Sequence, residues 1–419
     1  MISDDARDDL LDFVSSWACE HAVAGSLQEA EQLGLEVGAM VRRAVAQEAV
    51  SSSIARFEQS GSSLACQCGG SARMVGRRER VLVSMCGQVK ARRRYYHCRD
   101  CGTGYAPWDR AQGMTQRQFT PAVKALVAEL ATHLSYSDTV MLLKRTTGLG
   151  IEESSAEQVV EEVGTRVRED QRERTRRILA GEVLGEKSPK KLYVGVDGTH
   201  AHIDGAWHEV KVGVIYDDAG HKQYLAARES AEKFGERTYA AAVEAGVETA
   251  AEVVVIGDGA EWIWNLAALH FPDAIEIVDY WHACEHICEA ANACYGEGTK
   301  AARGWAEDYK RRLFEEGCEP LLRSLRAMRP DTLQGLEAVR LARGYFGRHR
   351  KRMRYPQFRR RGLAIGSGPV EAACKVIVGQ RLKRAGMRWT DAGADHILAL
   401  RCLLKSGDHH RLHQHSRPT

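Results

Sequence analysis

The chain has 419 residues, enough for roughly two to four domains, and its 44% apolar and 27% charged residues provide packed cores that a disordered or fibrous chain lacks. The formal net charge of +3 comes from 59 Lys and Arg against 56 Asp and Glu, so the balance itself points to no partner and only the distribution of charge is informative. No run approaches the roughly 18 apolar residues of a membrane span, and Asp4, Asp5, Arg7, Asp8 and Asp9 stand where a signal peptide would be hydrophobic, so export and membrane insertion are not expected.

Residues 1–60 carry apolar positions at helical spacing, among them Leu10, Leu11, Phe13, Val14, Leu33, Val37 and Val41, which predicts an N-terminal helical region. Gly61-Ser62-Ser63 breaks that pattern, and residues 61–110 follow as a small β module rich in β-branched and aromatic residues. Within it, Cys66-x-Cys68 and Cys98-x-x-Cys101 are separated by 29 residues and suit a four-thiolate zinc ribbon, although the first pair is one residue tighter than the usual knuckle. The competing reading is four buried free thiols. With twelve cysteines and only these four grouped, a reducing cytosol and zinc are expected rather than a disulfide framework. Between residues 66 and 110 there are ten Lys or Arg against three acidic residues, and Arg92, Arg93 and Arg94 in particular suit contact with DNA phosphates.

Residues 111–188 read as three helices, the first opened by Thr120-Pro121, the second near Ser137, and the third by a capping box at Ser155-x-x-Gln158. The series is compatible with a helix-turn-helix DNA-binding domain and equally with a small bundle. At Lys191 the period changes. Leu192, Val194 and Val196 alternate toward Asp197, two further strands cover Trp207–Tyr216 and His221–Glu229, and a helix covers Ala231–Ala250. The run Val253-Val254-Val255-Ile256 then reads as a strand buried on both faces, followed by a helix from Ala260 to His270 and a strand from Ile275 to Tyr280. The order β-β-β-α-β-α-β-α is the one a ribonuclease H-like mixed sheet shows, by analogy of order alone.

The predicted catalytic core occupies 189–285 and 362–405. Residues 286–361 form a helical, basic insertion, and 406–419, rich in histidine, form a disordered tail. From Arg340 to Arg361 there are ten Lys or Arg and no acidic residue. Arg350, Lys351, Arg352 and Arg354, interleaved with Tyr345, Phe346, Tyr355 and Phe358, suit DNA with unpaired or flipped bases, while in a helical domain such aromatics are as often core residues. The expected fold class is therefore α/β, a mixed sheet with a helical insertion, preceded by a zinc ribbon and helical domains.

Three carboxylates stand at predicted structural ends: Asp197 at the end of the first core strand, Asp258 just past the buried strand, and Glu371 in the first turn of a helix opened by Gly368-Pro369. Three carboxylates are enough protein ligands for two Mg²⁺ ions about 4 Å apart, which activate a water or 3′-hydroxyl and stabilise the leaving oxygen of a phosphodiester. Each also has an ordinary reading, since Asp-Gly is a common turn pair and a first-turn glutamate complements the helix dipole.

Four longer motifs carry a family resemblance. Asp197-Gly198-Thr199, Gly257-Asp258-Gly259-Ala260-Glu261-Trp262, Asp279-Tyr280-Trp281-His282 and Gly366-Ser367-Gly368-Pro369-Val370-Glu371-Ala372-Ala373-Cys374-Lys375 resemble the bacterial insertion-sequence transposases of the ISKra type. Gly379-Gln380-Arg381-Leu382-Lys383 resembles their C-terminal signature. The resemblance implies a DDE transposase with a ribonuclease H-like core that binds terminal inverted repeats and carries out strand cleavage and transfer. It implies Asp197, Asp258 and Glu371 as the Mg²⁺ (or Mn²⁺) triad, Cys66, Cys68, Cys98 and Cys101 as Zn²⁺ ligands, and Lys375, Arg381 and Lys383 as further DNA contacts. His282, in Asp279-x-x-His282, is similar to a histidine that lies near the scissile phosphate in such enzymes; its alternative role is to pack in the helix that starts there. The expected partners are transposon-end and target DNA and further copies of the chain, as a homodimer or higher on DNA, in the bacterial cytoplasm at the nucleoid and away from membranes. The spacing supports an insertion within the core, because 61 positions separate Asp197 from Asp258 but 113 separate Asp258 from Glu371. Two rival functions remain from residues alone: a zinc-ribbon DNA-binding regulator with an inactive core, and a structure-specific nuclease without strand transfer.

Overall fold

A computed structural model describes residues 4–58, 61–114, 118–185 and 187–416. The chain divides into two compact units, one of 1–127, 140–152 and 416–419 and the other of 128–139 and 153–415. No helix among the described residues is long and apolar enough to cross a membrane.

The first unit opens with α1 (Asp4–His21) and α2 (Leu27–Phe57), the latter capped by Ser26, whose side chain accepts from the Glu29 amide. A four-stranded antiparallel sheet follows in sequential order: β1 (Ser63–Ala65), β2 (Ser71–Ser84), β3 (Gly87–Cys98) and β4 (Gly104–Tyr105). After it comes the short α3 (Pro107–Ala111). The C-terminal end of α2 lies on β3, and Ile54, Leu82, Val89, Ala91, Trp108 and Met114 form the core there. The predicted β module is thus a genuine sheet, and the N-terminal region is two helices.

The helices expected in 111–188 are α4 (Pro121–His133), α5 (Tyr136–Thr147) and α6 (Glu153–Leu179). They do not make one separable domain. The third helix belongs to the second unit, where its buried Val159, Val160, Val163 and Val167 face a core and it packs against a C-terminal helix introduced below. A 27-residue amphipathic helix satisfies its apolar stripe wherever a matching face exists, and local periodicity does not say which face that is.

The second unit is built on a five-stranded mixed sheet of β5 (Lys191–Ile203), β6 (Ala206–Asp217), β7 (Lys222–Ala227), β8 (Glu252–Gly257) and β9 (Ile275–Val278), in the order β7-β6-β5-β8-β9. β5, β6 and β7 form an antiparallel meander, while β5, β8 and β9 pair in parallel through α7 (Ala231–Glu244) and α8 (Glu261–His270). β8 carries the continuous apolar run Val253–Ile256 expected of a strand covered on both faces.

A helical stretch separates β9 from the rest of this unit: α9 (Tyr280–Tyr295), α10 (Lys300–Glu315), α11 (Glu319–Ala327), α12 (Leu333–His349) and, after a 3₁₀ turn, α13 (Tyr355–Arg360). The predicted boundary at 286 falls inside α9. The chain then returns through α14 (Gly368–Ala373), a π-helical segment at Cys374–Gly379, α15 (Gln380–Leu382), α16 (Asp391–Lys405) and α17 (His409–His415). α16 packs on α6 and β7. The expectation of a disordered tail from 406 is corrected: Leu412 is buried and Arg411 is ion-paired with Asp170 of α6, which gives a short polar helix the anchors that its composition lacks. Residues 417–419 of that tail lie outside the described residues.

Candidate metal and nucleic-acid sites

In the β module, the two hairpin ends bring the four predicted cysteines together. Cys66 Sγ lies 3.7 Å from Cys101 Sγ, Cys68 Sγ lies 3.7 Å from Cys98 Sγ, and all four sulfurs fall within 4.8 Å of one another. Four sulfurs at Zn–S bonds of about 2.3 Å on a tetrahedron would be about 3.8 Å apart. The group is therefore able to hold a metal ion such as zinc. Its electrostatics point the same way. Bonds from the Thr103 side chain and backbone hold the Cys101 thiol down at about 6, while Cys68, despite a lowering backbone bond from Gly70, is pushed up to about 12 by contact with Cys101, Cys66 and Cys98. One thiolate forms readily and discourages the next, a crowding that a bound cation relieves.

Asp197 and Asp258 sit at the end of the ladder between the two central parallel strands of the five-stranded sheet. Asp197 is not at the end of its strand, as expected, but within β5, and what ends there is the parallel ladder: β5 pairs with β8 only as far as Gly195 opposite Ile256, while β5 and β6 continue as a two-stranded ribbon to Ile203. Asp197 thus emerges where β8 stops, and Asp258 is the first residue beyond β8. Alternation along β5 puts Gly195 and Asp197 on one face. A Cβ at Gly195 would come within 2.2 Å of Val370 Cγ2, so the missing side chain is what lets α14, which carries Glu371, lie on β5.

The Asp197 carboxylate is half-buried. Its Oδ1 accepts from the Gly198 amide at 2.7 Å and its Oδ2 from the Cys374 thiol at 3.5 Å. Burial, and then the neighbouring charge of Asp258, push its pKa above the ordinary aspartate value, against the lowering effects of Gly198, Cys374 and His282. Asp258 accepts from the Ala260 amide through Oδ1 at 2.8 Å, fixing an Asx turn at the head of α8. Cys374 opens the π-helical segment, and its thiol is raised by burial and by Asp197, with Glu371 adding to the effect. Lys383, just beyond, donates to Thr199 Oγ1 at 2.6 Å, two residues from Asp197. Among the described residues only the cysteine group has three or more candidate ligand atoms within single-ion distance of one another, so Asp197, Asp258 and Glu371 do not converge on one point.

His282 is half-buried in the first turn of α9, with Nδ1 3.2 Å from Glu285 Oε2, and its charge acts on Asp197. The helix is capped by Asp279, whose Oδ1 accepts from the His282 amide at 2.9 Å. Asp279 is fully buried, and its Oδ2 accepts from the Ser367 amide, so it joins the start of α9 to the turn before α14. Its motif was legible in sequence, but its double role depends on a contact 88 residues away.

The predicted DNA contacts divide sharply. Arg92, Arg350, Lys351, Arg354, Lys375 and Lys383 are exposed. Arg93 is corrected: it is buried, with Nε and Nη2 on the two Asp109 oxygens at 2.8 and 2.7 Å. Arg94 is half-buried, and its Nε is 3.7 Å from Glu58. Arg352 is held by Glu276 at 2.6 Å and stacks over Trp264 at 4.4 Å. Arg381 is buried as well, donating to the Ala131 carbonyl at 2.9 Å and lying over Trp389 at 4.5 Å. Alternation and packing turned one side chain in each basic run inward, where its charge requires a partner. The interleaved aromatics are likewise core: Phe346, Tyr355 and Phe358 are buried and Tyr345 is half-buried.

Residues that sequence reasoning passed over include Gly195 and Cys374. A glycine inside an otherwise apolar strand was the available signal for the first. The second has no signal short of the fold. A model of an uncharacterised protein family, UPF0236, matches residues 72–417, which takes in Cys98 and Cys101 of the cysteine group, the first sheet from β2 onward, the five-stranded sheet and α17. No curated protein matches the chain.

Proposed function

We propose that this chain, which belongs to the uncharacterised protein family UPF0236, is a DDE-type DNA transposase with a ribonuclease H-like core that binds the ends of its element, cuts DNA strands and joins the freed 3′-hydroxyl to a target. The observation that carries this reading is the placement of Asp197 just past the end of the β5–β8 parallel ladder and of Asp258 just past β8, with α14, which carries Glu371, packed closely on β5 at Gly195. The strand order, with an antiparallel meander on one side and two parallel strands on the other, is the order expected of such a core.

The donor set fits a hard divalent cation: three carboxylates, one of them half-buried and disfavoured in its charged form by its neighbour, a condition that Mg²⁺ or Mn²⁺ would reverse. When bound, such ions supply an activated water or 3′-hydroxyl and stabilise the leaving oxygen. The protein's own groups position the strand. The carboxylate of Glu285 faces His282 Nδ1, so Nε2 is the ring nitrogen left to meet a phosphate oxygen. Lys383 on Thr199 places a cation two residues from Asp197. The exposed Arg350, Lys351 and Arg354 of the inserted helices and Arg92 of the β module are suited to the DNA backbone.

The deciding experiment incubates the protein with DNA carrying its element's end, in Mg²⁺ and in EDTA, followed by a strand-transfer assay with a pre-cut end and a supercoiled target. Metal-dependent cutting and joined product are expected, with His282→Ala lowering joining more than binding. Cut ends that never join would make the protein a nuclease, and tight binding with neither product would make it a regulator.

A further inference from the structure

Tyr345 lies on α12, inside the helical insertion, yet its hydroxyl donates to the main-chain carbonyl of Asp258 at 2.8 Å. Its ring lies against Gly259, where a Cβ would stand 2.8 Å from the ring, and where φ is +113°. A side chain at 259 is therefore excluded twice, by backbone conformation and by the ring. On the other side the imidazole of His286 sits 4.0 Å from the Tyr345 ring centroid, and that of His349 sits 5.0 Å away. His286 is one turn beyond His282 on α9. A single insertion side chain thus touches both the loop that carries Asp258 and the helix that carries His282.

The two hydrogen bonds at Asp258 act on different parts of the residue. Ala260 holds the carboxylate and Tyr345 holds the backbone. With only the first, the side chain would keep its turn while the loop beyond β8 could shift, because Gly259 after Asp258 restrains it weakly. We propose that Tyr345 is a positioning residue through which the insertion sets the Asp258 loop against α9, and hence the spacing between the carboxylate pair and His282. The inference rests on the reading of Asp258 as a metal ligand, and it makes the insertion part of the catalytic apparatus as well as a DNA-holding element.

The test uses full-length Tyr345→Phe, which deletes only the hydroxyl, and Tyr345→Ala. Hydrogen exchange of the peptide spanning 258–262 is measured without metal, Mn²⁺ binding by calorimetry, and end cleavage across a Mn²⁺ series. Loss of this one bond should speed exchange of that peptide and raise the half-saturating Mn²⁺ concentration by about tenfold, while the rate at saturating Mn²⁺ falls by less than about threefold. Exchange in Tyr345→Phe that matches wild type overturns the proposal, whatever the alanine variant does. A wild-type protein that cleaves no DNA would instead defeat the transposase reading, and the exchange measurement would still decide what Tyr345 does.

Discussion

The Asp279 carboxylate accepts a hydrogen bond from the Ser367 amide, joining the strand edge after β9 to the turn that precedes α14 across 88 positions of sequence. Its second oxygen caps α9 at His282, and the neighbouring Tyr280 amide donates to the Ile365 carbonyl at 2.9 Å. One buried carboxylate, met by backbone N–H groups, therefore registers the helix of His282 with the helix of Glu371. The insertion departs and returns between these two ends, and Tyr345 ties it back to the Asp258 loop.

Asp279→Asn keeps the shape but turns an amide NH₂ toward one of two N–H donors. That loss should cost about 1–3 kcal/mol of stability and lower strand cleavage more than end binding. Thermal unfolding and a cleavage assay, run together, check it; an Asn variant as stable and as active as wild type would show that the charge has no part in the registration.

If the protein is the proposed transposase, Asp197→Asn, Asp258→Asn and Glu371→Gln should each abolish cleavage and leave binding to the element's ends largely intact, because each would remove a carboxylate oxygen from the proposed metal site while keeping the side chain's size. Cleavage within about tenfold of wild type for any of the three would remove that residue from the proposed triad.

Purified protein should contain about one zinc per chain, and Cys98→Ser should lower that content and weaken DNA binding. Cys98 is the buried member of the group, so its loss also opens the Ala72, Tyr96 and Cys98 cluster. Undiminished zinc in a variant lacking all four cysteines would place the ion elsewhere.

Replacing Arg350, Lys351 and Arg354 by Ala should make the slope of log affinity against log salt less negative by up to about 0.9 per lost phosphate contact. Arg352 is left out of that set because it is engaged by Glu276 and Trp264; Arg352→Ala should lower the melting temperature and leave the salt slope alone. A slope change in Arg352→Ala with none in the triple variant would reverse the assignment.

His349 gives a pH signature. Burial, with help from Arg352, Arg348 and His286, pushes its pKa down to about 4, and Arg352 Nη1 lies 3.3 Å from Nδ1, which accepts in the neutral ring. Because the folded value is depressed, the unfolded chain binds the extra proton first. Stability is whole above the unfolded value of about 6.5 and falls as pH drops toward about 4, by roughly 3 kcal/mol at the limit. His349→Phe should flatten that part of the stability profile, and denaturant melts between pH 4 and 7 measure it.

Sequence by itself determined the local elements and the chemistry available to them. Alternation in β5, the unbroken apolar run of β8, the glycine after it, and the paired cysteines are properties of short segments, and physical chemistry restricts such segments to few conformations. Tertiary structure decided which side chains were free to work. Arg93 and Arg381 read as well as Arg92 and Lys383 in a list of cations, but a shift of one position along a strand or two along a helix sends one into the core and the other into solvent. The same holds for Tyr345, which reads as a base-stacking aromatic among arginines and is instead a support for Asp258, and for Gly195, whose purpose appears only when Val370 arrives from 175 residues away. Charge and periodicity are written in the neighbourhood of each residue, whereas burial depends on what the rest of the chain brings to that place.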